Sequence, residues 1–148
     1  GGKPVIPGEK AAGGEAARLC RERGAKRGLM LSVSAPFHSA LMAPAADAMR
    51  EALAAVAKGV PVVPVVSNVS VEPERDPEQI ARRLVEQVTG RVRWRETVEW
   101  FAANGVVTLY EVGAGKVLSG LARRISRDVA VGSVGSPADV ESLLAATA

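Results

Sequence analysis

The sequence has little of what many catalytic and binding sites are built from. Its 148 residues hold one cysteine, Cys20, one histidine, His38, and an aromatic share of only 3%. A lone cysteine closes no intrachain disulfide, and with one histidine it makes no structural zinc site, so no metal is expected and a reducing, cytoplasmic setting fits. No apolar run reaches the ~18 residues that cross a bilayer and no signal peptide is recognisable, so no membrane role is expected. Nothing aromatic is interleaved with the basic clusters, as single-strand nucleic-acid binders require. The 19 basic and 16 acidic residues give +3, a mild bias that favours an acidic partner or a phosphate-bearing substrate and not nucleic acid. There is no Gly-x-Ser-x-Gly turn, since the nearest string, Gly132-Ser133-Val134-Gly135, has the wrong spacing. The chain starts at Gly1 without a methionine, which is read as a fragment boundary or a processed start.

What is present suits one domain of ordinary size. Apolar residues make up 47% of the chain, and with few aromatics the core must come from Val, Leu, Ala and Met. Residues 4–8 are a short strand candidate weakened by two prolines. Residues 9–23 form a helix, with Ala12, Ala16, Leu19 and Cys20 at helical spacing and Gly24 in the capping place. Residues 28–33 are a second strand. The near-continuous apolar run 60–71 is a strand covered on both faces, with Pro64 arguing for an edge or a bulge. Asp76-Pro77-Glu78-Gln79 starts a helix: the Asp76 carboxylate accepts from a backbone N–H near Gln79, Pro77 takes the first position, and Gln79 reaches back. Ile80, Leu84 and Val88 share its inner face, and it stops near Gly90. A helix over 95–103 buries Trp94, Val98 and Phe101. After it come a strand at 106–112, a glycine turn, a helix at 117–125, a strand at 129–134 and a helix from Ser136 to about Ala145. This alternation implies an α/β fold with a mostly parallel sheet. The turn Gly113-Ala114-Gly115-Lys116 has the wrong spacing for a phosphate cradle: Leu118 and Tyr110 stand where the fingerprints need glycine, and no cofactor is expected. Gly120 is read as permitting close packing.

His38 lies in the segment 32–42, Ser-Val-Ser-Ala-Pro-Phe-His-Ser-Ala-Leu-Met. Pro36 biases Ala35 away from helix, so the chain leaves a strand near Val33, turns over 35–37 and starts helix at or after Ser39. Pro44 is tolerable only in a first turn, so a break or a short separate turn is predicted at 39–43, before a helix running to about Ala57. On that helix Met42, Ala46, Met49, Leu53 and Val56 share one face. A side chain on such a corner is held by the scaffold yet faces a cleft. Histidine is the usual proton carrier near neutral pH, although a lone histidine is more often structural.

Ser34-x-Pro36-x-His38-x-x-Leu41-Met42 resembles the histidine motif of the malonyl-CoA:acyl carrier protein transacylases of fatty acid synthesis and of related polyketide synthase acyltransferase domains. Three further blocks follow in that family's order: Pro64-Val65-Val66-Ser67-Asn68-Val69, Val92-Arg93-Trp94-x-x-Thr97-Val98-Glu99, and Tyr110-Glu111-Val112-Gly113-x-Gly115-Lys116-Val117-Leu118-x-Gly120-Leu121. The family's usual Gly-Pro-Gly has Ala114 in place of proline, which implies a looser turn.

The resemblance spans essentially the whole chain but only the C-terminal half of the family. It implies the C-terminal part of an α/β-hydrolase-like core (34–148), preceded by a strand-helix-strand half of a ferredoxin-like small lobe (1–33) with an unpaired sheet edge. It also implies ping-pong transfer of malonyl from coenzyme A to the phosphopantetheine thiol of acyl carrier protein. In that transfer His38 is the base, the Gln87 backbone carbonyl orients its Nδ1, and Phe37 and Asn68 lie in the substrate pocket. Phe37 matches the pattern tied to malonyl over methylmalonyl, a core aromatic being the other reading. Lys26, Arg27 or Arg124 is implied in docking the acidic carrier protein. The serine nucleophile and the carboxylate clamp would come from the missing N-terminal half, so the chain alone is expected to be inactive. Two alternatives stay open: a non-catalytic fragment or carrier-binding module, and half of a polyketide synthase acyltransferase.

Overall fold

The computed structural model describes residues 5–147. The strand expected at 4–8 therefore lies partly outside them, and residues 5–8 carry no strand. The chain divides into two compact units between Val92 and Arg93.

The first unit opens with α1 (Lys10–Glu22), which ends as Gly24 turns into the left-handed region at φ +91. Its outer face is tied by Arg18 to Glu15 and Glu22, and the Arg18 hydrogen bond holds the Glu15 carboxyl below the usual carboxylate range. The strand expected at 28–33 is absent. Among the described residues no neighbour offers it a ladder, and Val33 N–H instead donates to Leu31 O at 3.0 Å, bending the segment and leaving Leu29, Met30 and Leu31 exposed.

A single 3₁₀ turn (Ala40–Met42) leads into α2 (Ala43–Ala54), with Pro44 in its first turn, so the break expected at 39–43 is there. The helix stops short of Ala57, and of its expected inner face only Ala46 is buried. The run 60–71 supplies only the two-residue β1 (Val65–Val66), which pairs antiparallel with β2 (Pro73–Glu74). Pro61 and Pro64 have no N–H to give a ladder, so the apolar run stays irregular and Val62 is 92% exposed. Arg75 holds the run from below through Pro61 O and Val62 O, at 3.3 and 2.7 Å. Between β1 and β2 the chain reverses in a turn closed by Val71 N–H to Ser67 O at 2.9 Å.

α3 (Pro77–Thr89) begins at Asp76 as expected, but the carboxylate accepts from Glu78 N–H at 2.9 Å. Gln79 accepts from Arg82 at 2.9 Å and does not reach back, so the capping box is half built. The buried position is Ala81, while Leu84 is half-exposed. α2 packs on α3, and alanine at the buried position of each lets their backbones approach closely.

The second unit follows the expected order. α4 (Trp94–Ala103) buries Val98 fully and also Thr97, whose hydroxyl donates to Arg93 O at 3.0 Å. β3 (Thr108–Val112) and β4 (Ala130–Val134) pair in parallel through the crossover helix α5 (Val117–Ile125), and α6 (Pro137–Thr147) follows. Tyr110 lies opposite Gly132, where a Cβ would meet the ring at 2.7 Å. The turn into α5 uses Gly113 at φ +128 and Gly115 at φ +96, conformations that side-chain-bearing residues avoid. Glu111 then occupies the N-terminus of α5, accepting from Leu118 and Ser119 N–H at 3.1 and 2.8 Å, so a carboxylate of the chain stands where a phosphate would bind. Gly120 has open space where its side chain would be, so close packing is not its role.

Candidate active site

His38 sits on a corner pinned from both sides by Ser39. The Ser39 hydroxyl reaches back across the histidine to donate to Pro36 O at 2.7 Å. Its carbonyl reaches forward to accept from Met42 N–H at 3.0 Å, which closes the 3₁₀ turn. Between these anchors the His38 backbone is left-handed, with φ +60. That conformation costs a non-glycine residue about 1–2 kcal/mol, so the surrounding bonds hold the residue there against its preference. The turn throws the ring outward, and both His38 and Phe37 are exposed.

The ring meets the last turn of α3. The final carbonyls of a helix have no partner within it, and this helix stops when Gly90 N–H takes Glu86 O at 2.8 Å and the chain becomes extended. One residue further on, Gln87 O lies 2.8 Å from His38 Nδ1. A carbonyl only accepts, so the neutral ring carries its proton on Nδ1 and keeps the Nε2 lone pair for a proton from elsewhere. That is the arrangement of a general base whose second nitrogen is held in place. Among the described residues no cluster of three or more His, Cys, Asp and Glu could hold a metal ion, and no helix is long and apolar enough to cross a membrane.

The comparisons with known proteins bear on the same residues. No protein-family model matches the chain. The malonyl CoA-acyl carrier protein transacylase of Salmonella typhimurium is 46% identical over 143 residues, which are 97% of this chain and 46% of that protein. A crystal structure of an acyl-carrier-protein S-malonyltransferase from Bartonella henselae superposes with a TM-score of 0.86 at 57% identity, covering 94% of this chain and 44% of that one. The chain is homologous to the C-terminal half of the malonyl-CoA:acyl carrier protein transacylases.

It spans about half the length of the transacylases it matches. A malonyl-transacylase solved in complex with its type II polyketide synthase acyl-carrier protein is also similar, with a TM-score of 0.84 at 43% identity, covering 94% of this chain and 45% of that one. Of the residues that the transacylase resemblance singles out, His38 and Gln87 meet directly, while Phe37 adjoins the histidine in sequence. Asn68 is half-buried in the reversal between β1 and β2. Lys26 and Arg27 are exposed in the irregular link after α1. Arg124 belongs to the second unit, where its Nε donates to Gly120 O at 3.0 Å. Sequence reasoning places Ser39 and Gly90 only at element boundaries and does not bring them to the site. A serine three residues after Pro36 is a local signal for a side-chain-closed turn, and it was legible.

Proposed function

We propose that this chain carries the proton-relay half of a malonyl-CoA:acyl carrier protein acyltransferase. The observation that carries the proposal is the 2.8 Å contact between His38 Nδ1 and Gln87 O on an exposed corner, which leaves Nε2 to the reactants. A serine hydroxyl from polypeptide outside these residues attacks the malonyl thioester. His38 Nε2 takes the hydroxyl proton as the C–O bond forms, then delivers it to the departing coenzyme A sulfur as the C–S bond breaks. The malonyl ester then passes to the phosphopantetheine thiol of carrier protein by the reverse sequence, with the same nitrogen taking the thiol proton and returning it to serine. Phe37 and Asn68 border the acyl group, and Lys26, Arg27 and Arg124 contribute to the carrier-protein surface. Residues 1–33 belong to a small lobe, and the setting is cytoplasmic. The similarity to a transacylase solved with a polyketide carrier supports the same chemistry in polyketide supply as a second reading. Transfer rates to carrier proteins of the two kinds separate these two readings.

Labelled malonyl-CoA tests the proposal. The 148-residue chain alone should take no covalent label, because it has no nucleophile turn. Label should appear on the serine of an added N-terminal half from a relative, and His38→Ala should slow its appearance about 10²–10⁴-fold. Stable labelling of this chain by itself would sink the proposal.

A further inference from the structure

We infer that the Gln87 side chain, beyond its main-chain carbonyl, is a positioning residue for His38, clasping the end of α3 so that the carbonyl stays aimed at Nδ1. The inference rests on the proposed role of His38. Gln87 Nε2 donates to Gly90 O at 3.2 Å, closing the last turn of the helix upon itself. The direction of the amide is set by that partner. Exchanging its nitrogen and oxygen would bring two acceptors together.

Two more contacts converge on Gly90. Its N–H donates to Glu86 O at 2.8 Å, and a Cβ there would lie 2.7 Å from Glu86 O and 3.0 Å from Val69 Cγ2. The residue is thus held by its N–H and by its carbonyl, with Val69 closing off the space a side chain would fill. The carbonyl that touches His38 sits inside this seated turn.

The identity of residue 87 needs an explanation that burial does not give. Gln87 Oε1 is buried and has no hydrogen-bond partner among the described residues, which costs stability. Methionine would fill similar space without leaving an acceptor unpaired. What only the amide adds is the Nε2 donor, and its bond ends on the turn that presents the carbonyl.

The single histidine makes the test clean, because every imidazole signal comes from this site. In ¹⁵N NMR of the full chain, at a pH where the ring is neutral, the wild type should show mainly the Nδ1–H tautomer. Gln87→Met should lose that bias, with Nε2–H, the form a free histidine side chain favours, becoming the majority, while the thermal midpoint stays level or rises. A Gln87→Met chain that keeps the wild-type tautomer ratio overturns the clasp. A wild-type chain without an Nδ1–H bias removes the underlying reading of His38 instead. Should Gln87→Met fail to fold, hydrogen exchange of the Gln87 amide in the wild type decides. One slowly exchanging Nε2 proton supports the clasp, and two freely exchanging ones refute it.

Discussion

The two units differ in what their sequence is used for. Of the eight buried residues among those described, six belong to the second unit, which is the shorter one: Thr97, Val98, Ser119, Ala122, Val129 and Val134. The first unit has only Ala46 and Ala81 in that class, yet it holds His38, Gln87, Phe37 and Asn68. Its valines at 60, 62 and 63 stand in the open, and its strands are two residues long. Packing energy is thus concentrated where there is no candidate chemistry. The candidate chemistry is held by individual hydrogen bonds at a turn and a helix end, where each bond has a function that can be removed on its own.

That contrast makes opposite demands on substitutions in the two units. The largest effect should come from His38→Ala: in an enzyme reassembled with an N-terminal half, malonyl transfer should fall about 10²–10⁴-fold while the melting temperature of the chain does not drop. A loss of transfer that merely tracks unfolding would erase the contrast. Val98→Ala is its mirror. Removing a fully buried side chain should cost about 1.5–3 kcal/mol in a denaturant titration and leave the His38 ring signals in place. If those signals shift as well, the contrast drawn between the two units fails.

Smaller effects sharpen the picture within the first unit. Reversing Lys26 and Arg27 to glutamate should raise the apparent KM for carrier protein several-fold and leave that for malonyl-CoA unchanged. Equal changes in both would remove the docking assignment. Phe37→Ser should raise methylmalonyl turnover relative to malonyl in a competition assay, and an unaltered ratio would return Phe37 to plain bulk.

The smallest effect is a pH dependence in the second unit. Asp139 sits in the first turn of α6 and reaches back to the residues before it: the Ser136 hydroxyl at 2.8 Å, with Gly135 N–H at 3.0 Å, holds its carboxyl below the usual range. Glu111 is lowered likewise by hydrogen bonds from Ser119, side chain first and backbone second, and from Leu118. A depressed carboxyl binds its proton more readily in the unfolded chain. The stability it adds is therefore complete above its ordinary value near 4 and drains away as pH falls through the folded value. Asp139→Asn should flatten the acid side of the stability curve, and a curve of unchanged slope would assign the acid sensitivity to other groups.

How much was legible in advance divides along the same line. In the second unit, helical and strand periodicity agree with the glycine turn and with the chain order, and 117–125 is found where the pattern puts it. Local propensity and tertiary context point the same way there, so sequence suffices. In the first unit, residues 28–33 and 60–71 have strand composition, yet most of their length pairs with nothing among the described residues. Apolar content can nominate a strand, but a ladder needs a neighbour, and composition does not say whether one is near. The histidine corner was legible because Pro36 and Pro44 restrict the backbone on both sides. The partner of the ring was reached only through resemblance, since no spacing rule links residues 38 and 87. Ser39 and Gly90 are read from the sequence only as element boundaries, because what they add at the corner is one hydroxyl and one missing methyl group.

The left-handed backbone at residue 38 has an evolutionary corollary. Glycine would sit in that conformation at ease, so the substitution that best relieves the corner is also one that deletes the imidazole. Under the proposed role of His38, copies of this chain released from the need to move protons should therefore drift toward glycine there, becoming calmer molecules and worse reagents.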